Sequence, residues 1–243
     1  MATKIDVLSM ARPLVGDMPL ELWLLDLSGM PPAEAIPWLS EEERARAARF
    51  AFPRYRERYF NAHIGLRLVL AEYCGFAARR QRFVLGADGK PSLADLPDCH
   101  FSLSYAGDVA LVGVDCENPV GVDIESDRPI PDADELSALH FHPREQRALA
   151  SLAGPVRHGT GFLQGWTRKE ACLKALGHGL TMPAALLHSG LSGRKPVRMD
   201  GQVLLEVGGC PPLPGFTAAW ARMTAPASDP RQPAAALWPA PCP

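Results

Sequence analysis

Gly121-Val122-Asp123-Ile124-Glu125 sets two carboxylates two residues apart in a run that alternates apolar and acidic side chains. On a strand, successive side chains point to opposite faces, so Val120, Val122 and Ile124 would point one way and Asp123 and Glu125 the other. Two carboxylates on one strand face form a hard oxygen site suited to Mg²⁺, and Mn²⁺ accepts the same ligands. The same alternation also produces an ordinary half-exposed strand with an acidic outer face.

A second run, Trp166-Thr167-Arg168-Lys169-Glu170-Ala171-Cys172-Leu173-Lys174, reads as helix. At about 100° per residue, Phe162, Leu163, Trp166, Leu173 and Leu176 share one sector. Lys169 and Glu170 fall inside that sector and Lys174 lies at its edge. An amphipathic helix keeps charge off its apolar stripe. Unpaired buried charge is costly, so these groups call for partners: each other, a metal or a charged ligand. An internal salt-bridge cluster, or lysine stems reaching back to water, meets the same requirement. Glu170 and Lys174 are also an i, i+4 pair.

Gly89-Lys90-Pro91 precedes Phe101-Ser102-Leu103-Ser104-Tyr105. A lysine in a tight turn could reach a phosphate, although a turn lysine is ordinarily solvated. Arg44, Arg46, Arg49, Arg54, Arg56 and Arg58 form a basic cluster. It reads either as a solvated face balanced by Glu41, Glu42, Glu43 and Glu57 or as an anion-binding surface. His140 and His142 lack a nearby third ligand and read as loop or helix-start residues. Gly177-x-Gly179 is too short for a phosphate loop, and Gly177 reads as a helix cap.

The elements that would position these residues follow from pattern and punctuation. Residues 20–27 read as a buried strand. Ser40 with Glu43 makes a capping box opening a helix. A second helix is expected from about Pro53 to Tyr73, stopped at Gly75. Strands are expected at Phe83–Leu85, His100–Tyr105, Val109–Val114 and Val120–Glu125. Gly86 to Gly89 is a turn. Pro143 opens a helix to about Leu152, and another spans about Phe162 to Leu176. Val203–Val207 and Phe216–Arg222 read as closing strands. The order implies an N-terminal lobe of residues 1–117, a C-terminal lobe of residues 118–225 and a Pro- and Ala-rich, loosely ordered tail of residues 226–243. No residue-level repeat relates the lobes.

The chain has 243 residues, 47% of them hydrophobic, and can bury a core without a metal or disulfide staple. A net charge of -2 without a long single-sign run gives no reason to expect nucleic-acid binding. The six cysteines show no C-x-x-C spacing, which argues against a zinc ribbon. With no export signal or apolar run of membrane-spanning length, they read as reduced thiols in a soluble, cytoplasmic protein.

Taken together, Gly121–Glu125 and Trp166–Gly179 resemble the two signature motifs of the surfactin-synthetase-activating type of 4′-phosphopantetheinyl transferase. Supporting similarity covers most of the chain: the arginine-bearing Ser40–Phe50 helix, the Arg58–Arg67 helix, Gly89-Lys90-Pro91, His100–Tyr105 and Gly215–Ala221. The resemblance implies an α+β monomer of two pseudo-symmetric lobes, each a small, mostly antiparallel sheet packed with helices. Coenzyme A would bind at the interface between the lobes. The implied reaction moves the phosphopantetheine arm of coenzyme A to a serine of an acyl or peptidyl carrier protein, releasing 3′,5′-ADP.

By the same resemblance, Asp123, Glu125 and Glu170 would hold Mg²⁺. Glu170 would be the base for the carrier serine, and Lys174 would stabilise or protonate the leaving phosphate. Lys169 would support the phosphate site, and Arg46, Lys90, Pro91, Ser104 and Tyr105 would contact coenzyme A. The family usually carries histidine where Tyr105 stands, and tyrosine offers a hydrogen bond but no positive charge at neutral pH. A homologue that binds coenzyme A or a carrier without turnover would share these motifs. A metal-dependent phosphohydrolase would need a third acidic motif, which the sequence lacks.

Overall fold

A computed structural model describes residues 7–86, 89–177, 182–199 and 202–224. The expected tail at 226–243 and Gly179 lie outside the described residues. In the first half, β1 (Ala11–Pro13) and β2 (Glu21–Asp26) precede helices α1 (Glu41–Ala48) and α2 (Pro53–Cys74). A small hairpin follows, β3 (Phe83–Leu85) and β4 (Pro91–Leu93), then β5 (His100–Ala106) and β6 (Val109–Asp115). The second half runs β7 (Val120–Ser126), α3 (Ala133–His140), α4 (Pro143–Ala150), α5 (Gly154–Arg157) and α6 (Thr160–Leu176). It closes with β8 (Lys195–Met199), β9 (Gln202–Gly209) and β10 (Phe216–Met223).

Two antiparallel sheets result, ordered β1-β2-β6-β5 and β7-β10-β9-β8, each packed with helices. This is the expected α+β architecture. Leu25, Leu66, Val69, Leu70 and Phe101 fill the core between α2 and the first sheet. Val197, Leu205, Val207 and Ala219 pack against α6 beneath the second. Leu22 and Leu111 meet Val120, Val122, Ile124 and Trp220 in an apolar seam joining the two sheets.

Local chemistry sets the boundaries. Ser40 Oγ accepts the Glu43 N–H while the Glu43 carboxylate accepts the Ser40 N–H, so the expected capping box starts α1. Pro53 sits at the first turn of α2, and Gly75 ends that helix in the left-handed conformation. His142 caps α4 by accepting from the Arg144 N–H, and His140 is the last residue of α3. The sequence reading did not anticipate α3, α5, β1, β4 or β8. Pro13, Pro91 and Pro196 lie in the three unanticipated strands. Proline argues against a strand unless the strand is an edge, as β1 and β8 are, or begins at the proline, as β4 does.

Candidate active site

The Asp123 face of β7 carries helix α6, and the glycine beside Asp123 explains how closely the two meet. A Cβ on Gly121 would collide with the backbone carbonyl of Ala171 and the amide of Ala175. With glycine there, α6 lies directly on the strand and Lys174 reaches across it. Lys174 Nζ donates to Asp123 Oδ1 (2.7 Å), to Ser104 Oγ of β5 (3.0 Å) and to the Val122 carbonyl (3.1 Å). Ser104 Oγ also donates to Asp123 Oδ1 at 2.8 Å. One lysine, one carboxylate and one hydroxyl therefore knot together strands from both sheets.

Asp123 is 5% exposed, and its Oδ2 has no partner among the described residues. Burial pushes its carboxyl above the ordinary range, and the Lys174 ammonium and Ser104 hydroxyl pull it partly back. Glu170, one turn before Lys174, is half-buried. Burial and the nearby Asp123 charge raise its pKa, Lys174 opposes them, and Glu125 adds a further push upward. Glu125 itself is turned to Arg128 at 2.8 Å.

Asp123, Glu125 and Glu170 thus feel one another's charge, and the donor set is all oxygen. That electrostatic frustration, with an orphaned buried carboxylate oxygen at its centre, suits a divalent cation. The side chains are not drawn together, however: among the described residues, no group of three His, Cys, Asp or Glu side chains is gathered closely enough to hold a metal. Glu125 would have to leave Arg128, and Lys174 would have to loosen its hold on Asp123.

Beside the knot lies a cleft of about 860 Å³, bounded by α1, α2, the β3–β4 hairpin, β5 and the end of α6. Arg46, Lys90, Pro91, Tyr105 and Lys174 line it, so the structure gathers most of the expected contact residues on one cavity. Ser104 stands at its edge through Lys174. Lys90 Nζ donates to the carbonyls of Val120 (3.0 Å) and Ala175 (3.2 Å), tying the hairpin to β7 and to the last turn of α6. Burial lowers the Lys90 pKa to about 8. Tyr105 is 42% exposed and is among the residues lining the cleft.

Lys169 is placed differently from the rest. It is fully buried, pairs with Glu145 of α4 at 2.7 Å, and donates to the carbonyls of Ala184 and Leu187. Its charge is met by the internal salt bridge that the sequence left open as an alternative, and the structure does not bring its ammonium to the Asp123 cluster. The helical projection also undercounted burial: α6 is covered on nearly every side, with only Thr160 at its start and Gln164 exposed.

Sequence reasoning missed part of the cleft. Arg67, buried in the middle of α2, forms an ion pair with Glu43 at 2.6 Å and stacks on Phe83. Gln81 donates to the Arg67 carbonyl, and His63 bonds Glu43. Arg79 and Arg82 add charge to the lining, with Arg82 paired to Asp95. Among the described residues Arg46, Arg79 and Lys90 have no carboxylate partner. The Arg79-Arg80-Gln81-Arg82 run was the available signal for this edge. Arg58, from the basic cluster, is instead paired with Asp108.

The fold and site describe an α+β protein whose two sheets meet over a carboxylate–lysine knot beside an anion-suited cleft. The sequence profile of the 4′-phosphopantetheinyl transferase superfamily matches residues 119–198, which include β7 and α6. The 4′-phosphopantetheinyl transferase psf-1 of Bacillus pumilus is 31% identical over 171 residues, covering 70% of this chain and 69% of psf-1. The 4′-phosphopantetheinyl transferase Sfp of Bacillus subtilis is 30% identical over 171 residues, covering 70% and 71%. HetI of Nostoc, also a 4′-phosphopantetheinyl transferase, is 37% identical over 145 residues, and the match spans 61% of its length, under two thirds. The chain belongs to the 4′-phosphopantetheinyl transferase superfamily.

Proposed function

We propose that this protein transfers the 4′-phosphopantetheine arm of coenzyme A to a serine hydroxyl of an acyl or peptidyl carrier protein, releasing 3′,5′-ADP. The observation that carries the reading is the Asp123–Lys174–Ser104 knot, with Glu170 alongside, at the rim of a cleft where Arg46, Arg79 and Lys90 have no carboxylate partner among the described residues and so suit phosphates. Arg46, Arg79 and Lys90 would hold the anionic nucleotide end of coenzyme A, and Tyr105 would offer its hydroxyl there. Asp123, Glu125 and Glu170 would hold Mg²⁺, which supplies charge neutralisation at the pyrophosphate when bound.

Glu170, with its raised pKa, takes the proton from the carrier serine. The serine oxygen bonds to the phosphorus that carries the pantetheine arm. The bond from that phosphorus to the bridging oxygen breaks, and Lys174 stabilises the departing phosphate of 3′,5′-ADP.

The cleft and the acidic cluster are supplied by one chain, which supports a monomer as the working unit. The passage from β6, ending at Asp115, to β7, beginning at Val120, supports lobes divided near residue 117. A reaction that consumes coenzyme A is consistent with the cytoplasmic placement expected from the sequence. Among the described residues no helix is long and apolar enough to cross a membrane.

Incubating apo carrier proteins with coenzyme A and Mg²⁺ tests the proposal by intact mass. One phosphopantetheine should be gained per carrier. No gain across several carriers that a known transferase modifies would overturn the reading. Glu170→Gln should abolish the gain while leaving coenzyme A binding measurable by calorimetry. A full rate in that variant would remove Glu170 as the base.

A further inference from the structure

Three thiols that the proposed reaction does not use meet behind the first sheet. The β5–β6 register ends with His100 opposite Asp115, so the next residues outward from the two strands are Cys99 and Cys116. Cys74, the last residue of α2, arrives at the same place. Cys74 and Cys116 both lie near enough to Cys99 to push its pKa upward. The three differ in access: Cys116 is exposed, Cys74 is half-buried and Cys99 is buried. Cys74 is further engaged, its Sγ donating to the Leu70 carbonyl at 2.7 Å. No metal-holding group of ligands exists among the described residues, so the cluster is not a soft-metal site in this arrangement.

We propose that Cys99 and Cys116 form a reversible oxidation site, closing a disulfide when the protein meets a small-molecule disulfide such as oxidised glutathione. Two opposed residues just beyond the last pair of an antiparallel ladder are spaced for such a bridge. The exposed Cys116 thiolate attacks the small disulfide and releases one small thiol. Cys99 then loses its proton to solvent and attacks the Cys116 sulfur, releasing the second small thiol. Two protein thiols are oxidised and one small disulfide is reduced to two thiols, so the exchange balances.

Burial, followed by the two neighbouring thiols, pushes the Cys99 pKa up to about 12, so the second step should be slow at neutral pH and faster at pH 9. The bridge would close at the junction where the chain leaves the first sheet. There Asp115 accepts the Glu117 and Asn118 N–H groups and pairs with Arg222 of β10. A covalent tie at this point restrains the passage between the sheets.

The protein, incubated with oxidised glutathione at pH 7 and pH 9, should lose about two mass units before alkylation, and after alkylation it should carry two fewer alkyl groups than the reduced control. Non-reducing peptide mapping should join the Cys99 and Cys116 peptides. The Tm should rise by roughly 5 °C and return on adding a thiol reductant. Cys74→Ser should preserve the bridge and Cys116→Ser should abolish it. A stable glutathione adduct on Cys116, a Cys74–Cys99 bridge or unchanged mass would each overturn the proposal.

Discussion

Lys169 and Lys174 lie five positions apart on α6, and the structure gives them opposite tasks. Lys174 spans the junction of the sheets and is 30% exposed, whereas the Lys169 side chain is fully buried against Glu145. Replacing one member of a buried pair strands the other, at a cost on the order of 3–5 kcal/mol. Lys169→Met should therefore lower the urea midpoint sharply, and Lys169→Met with Glu145→Gln should regain much of the loss. Lys174→Met should act on rate: transfer should fall by roughly 10²-fold or more, the scale of a positioned proton donor. If Lys169→Met left stability intact and removed only activity, its assignment to the core would be wrong. The sequence announced that both lysines needed partners. It could not say which partner each would find, because Glu145 lies on another helix and its approach depends on tertiary packing.

Between elements, glycine at 121 and the carboxylate at 43 each govern one contact. Gly121→Ala would drive a methyl group into the α6 backbone, which cannot rotate away as a side chain can. Overpacking of this kind costs about 1–3 kcal/mol or more. It should also push Glu170 and Lys174 away from Asp123, so transfer rate and Tm should fall together. A variant with normal Tm and normal rate would show that the close approach is dispensable.

Glu43 joins α1 to α2. Burial alone would raise its pKa, but hydrogen bonds from His63 and Arg67, the Arg67 charge and the Ser40 N–H hold it down to about 2 from 4.5. A depressed carboxyl contributes stability that is full above about pH 4.5 and lost as the pH falls through about 2. The contribution should be on the order of 2–3 kcal/mol. Glu43→Gln should lower stability at pH 7 and flatten the acid limb between pH 4.5 and 2 in denaturant titrations. Ser40 and Glu43 were legible as a helix cap. The second task of Glu43, holding Arg67 at the cleft, was hidden because α1 and α2 had to be placed before the two could meet.

Across the whole molecule, the order of strands and the two signature runs were readable because each is encoded locally: alternation on β7, glycine stops after α2 and α6, turns beside β3 and β6. What remained unread was how the halves face each other. Lys90 reaches from the hairpin to β7 and α6, and Arg46 and Arg79 converge on one cleft from segments far apart in sequence. Their convergence makes ligand linkage the measurement suited to this scale. A ligand that binds only the folded state stabilises it by about 2.7 kcal/mol at one hundred times its Kd. For a chain of this size that corresponds to a Tm rise of roughly 5–10 °C. Coenzyme A with Mg²⁺ should produce such a rise in the unmodified protein. In Arg46→Ala with Arg79→Ala the rise should largely vanish while the ligand-free Tm falls only slightly, because neither arginine pairs with a carboxylate among the described residues and Arg46 loses only its contact over the Tyr59 ring. Dephosphorylated coenzyme A, lacking the 3′-phosphate, should give a smaller rise in the unmodified protein. The two ligands should behave alike in the double variant, since the charge that distinguishes them would have lost its partners. An undiminished coenzyme A response in that variant would move the nucleotide end of the ligand away from this cleft.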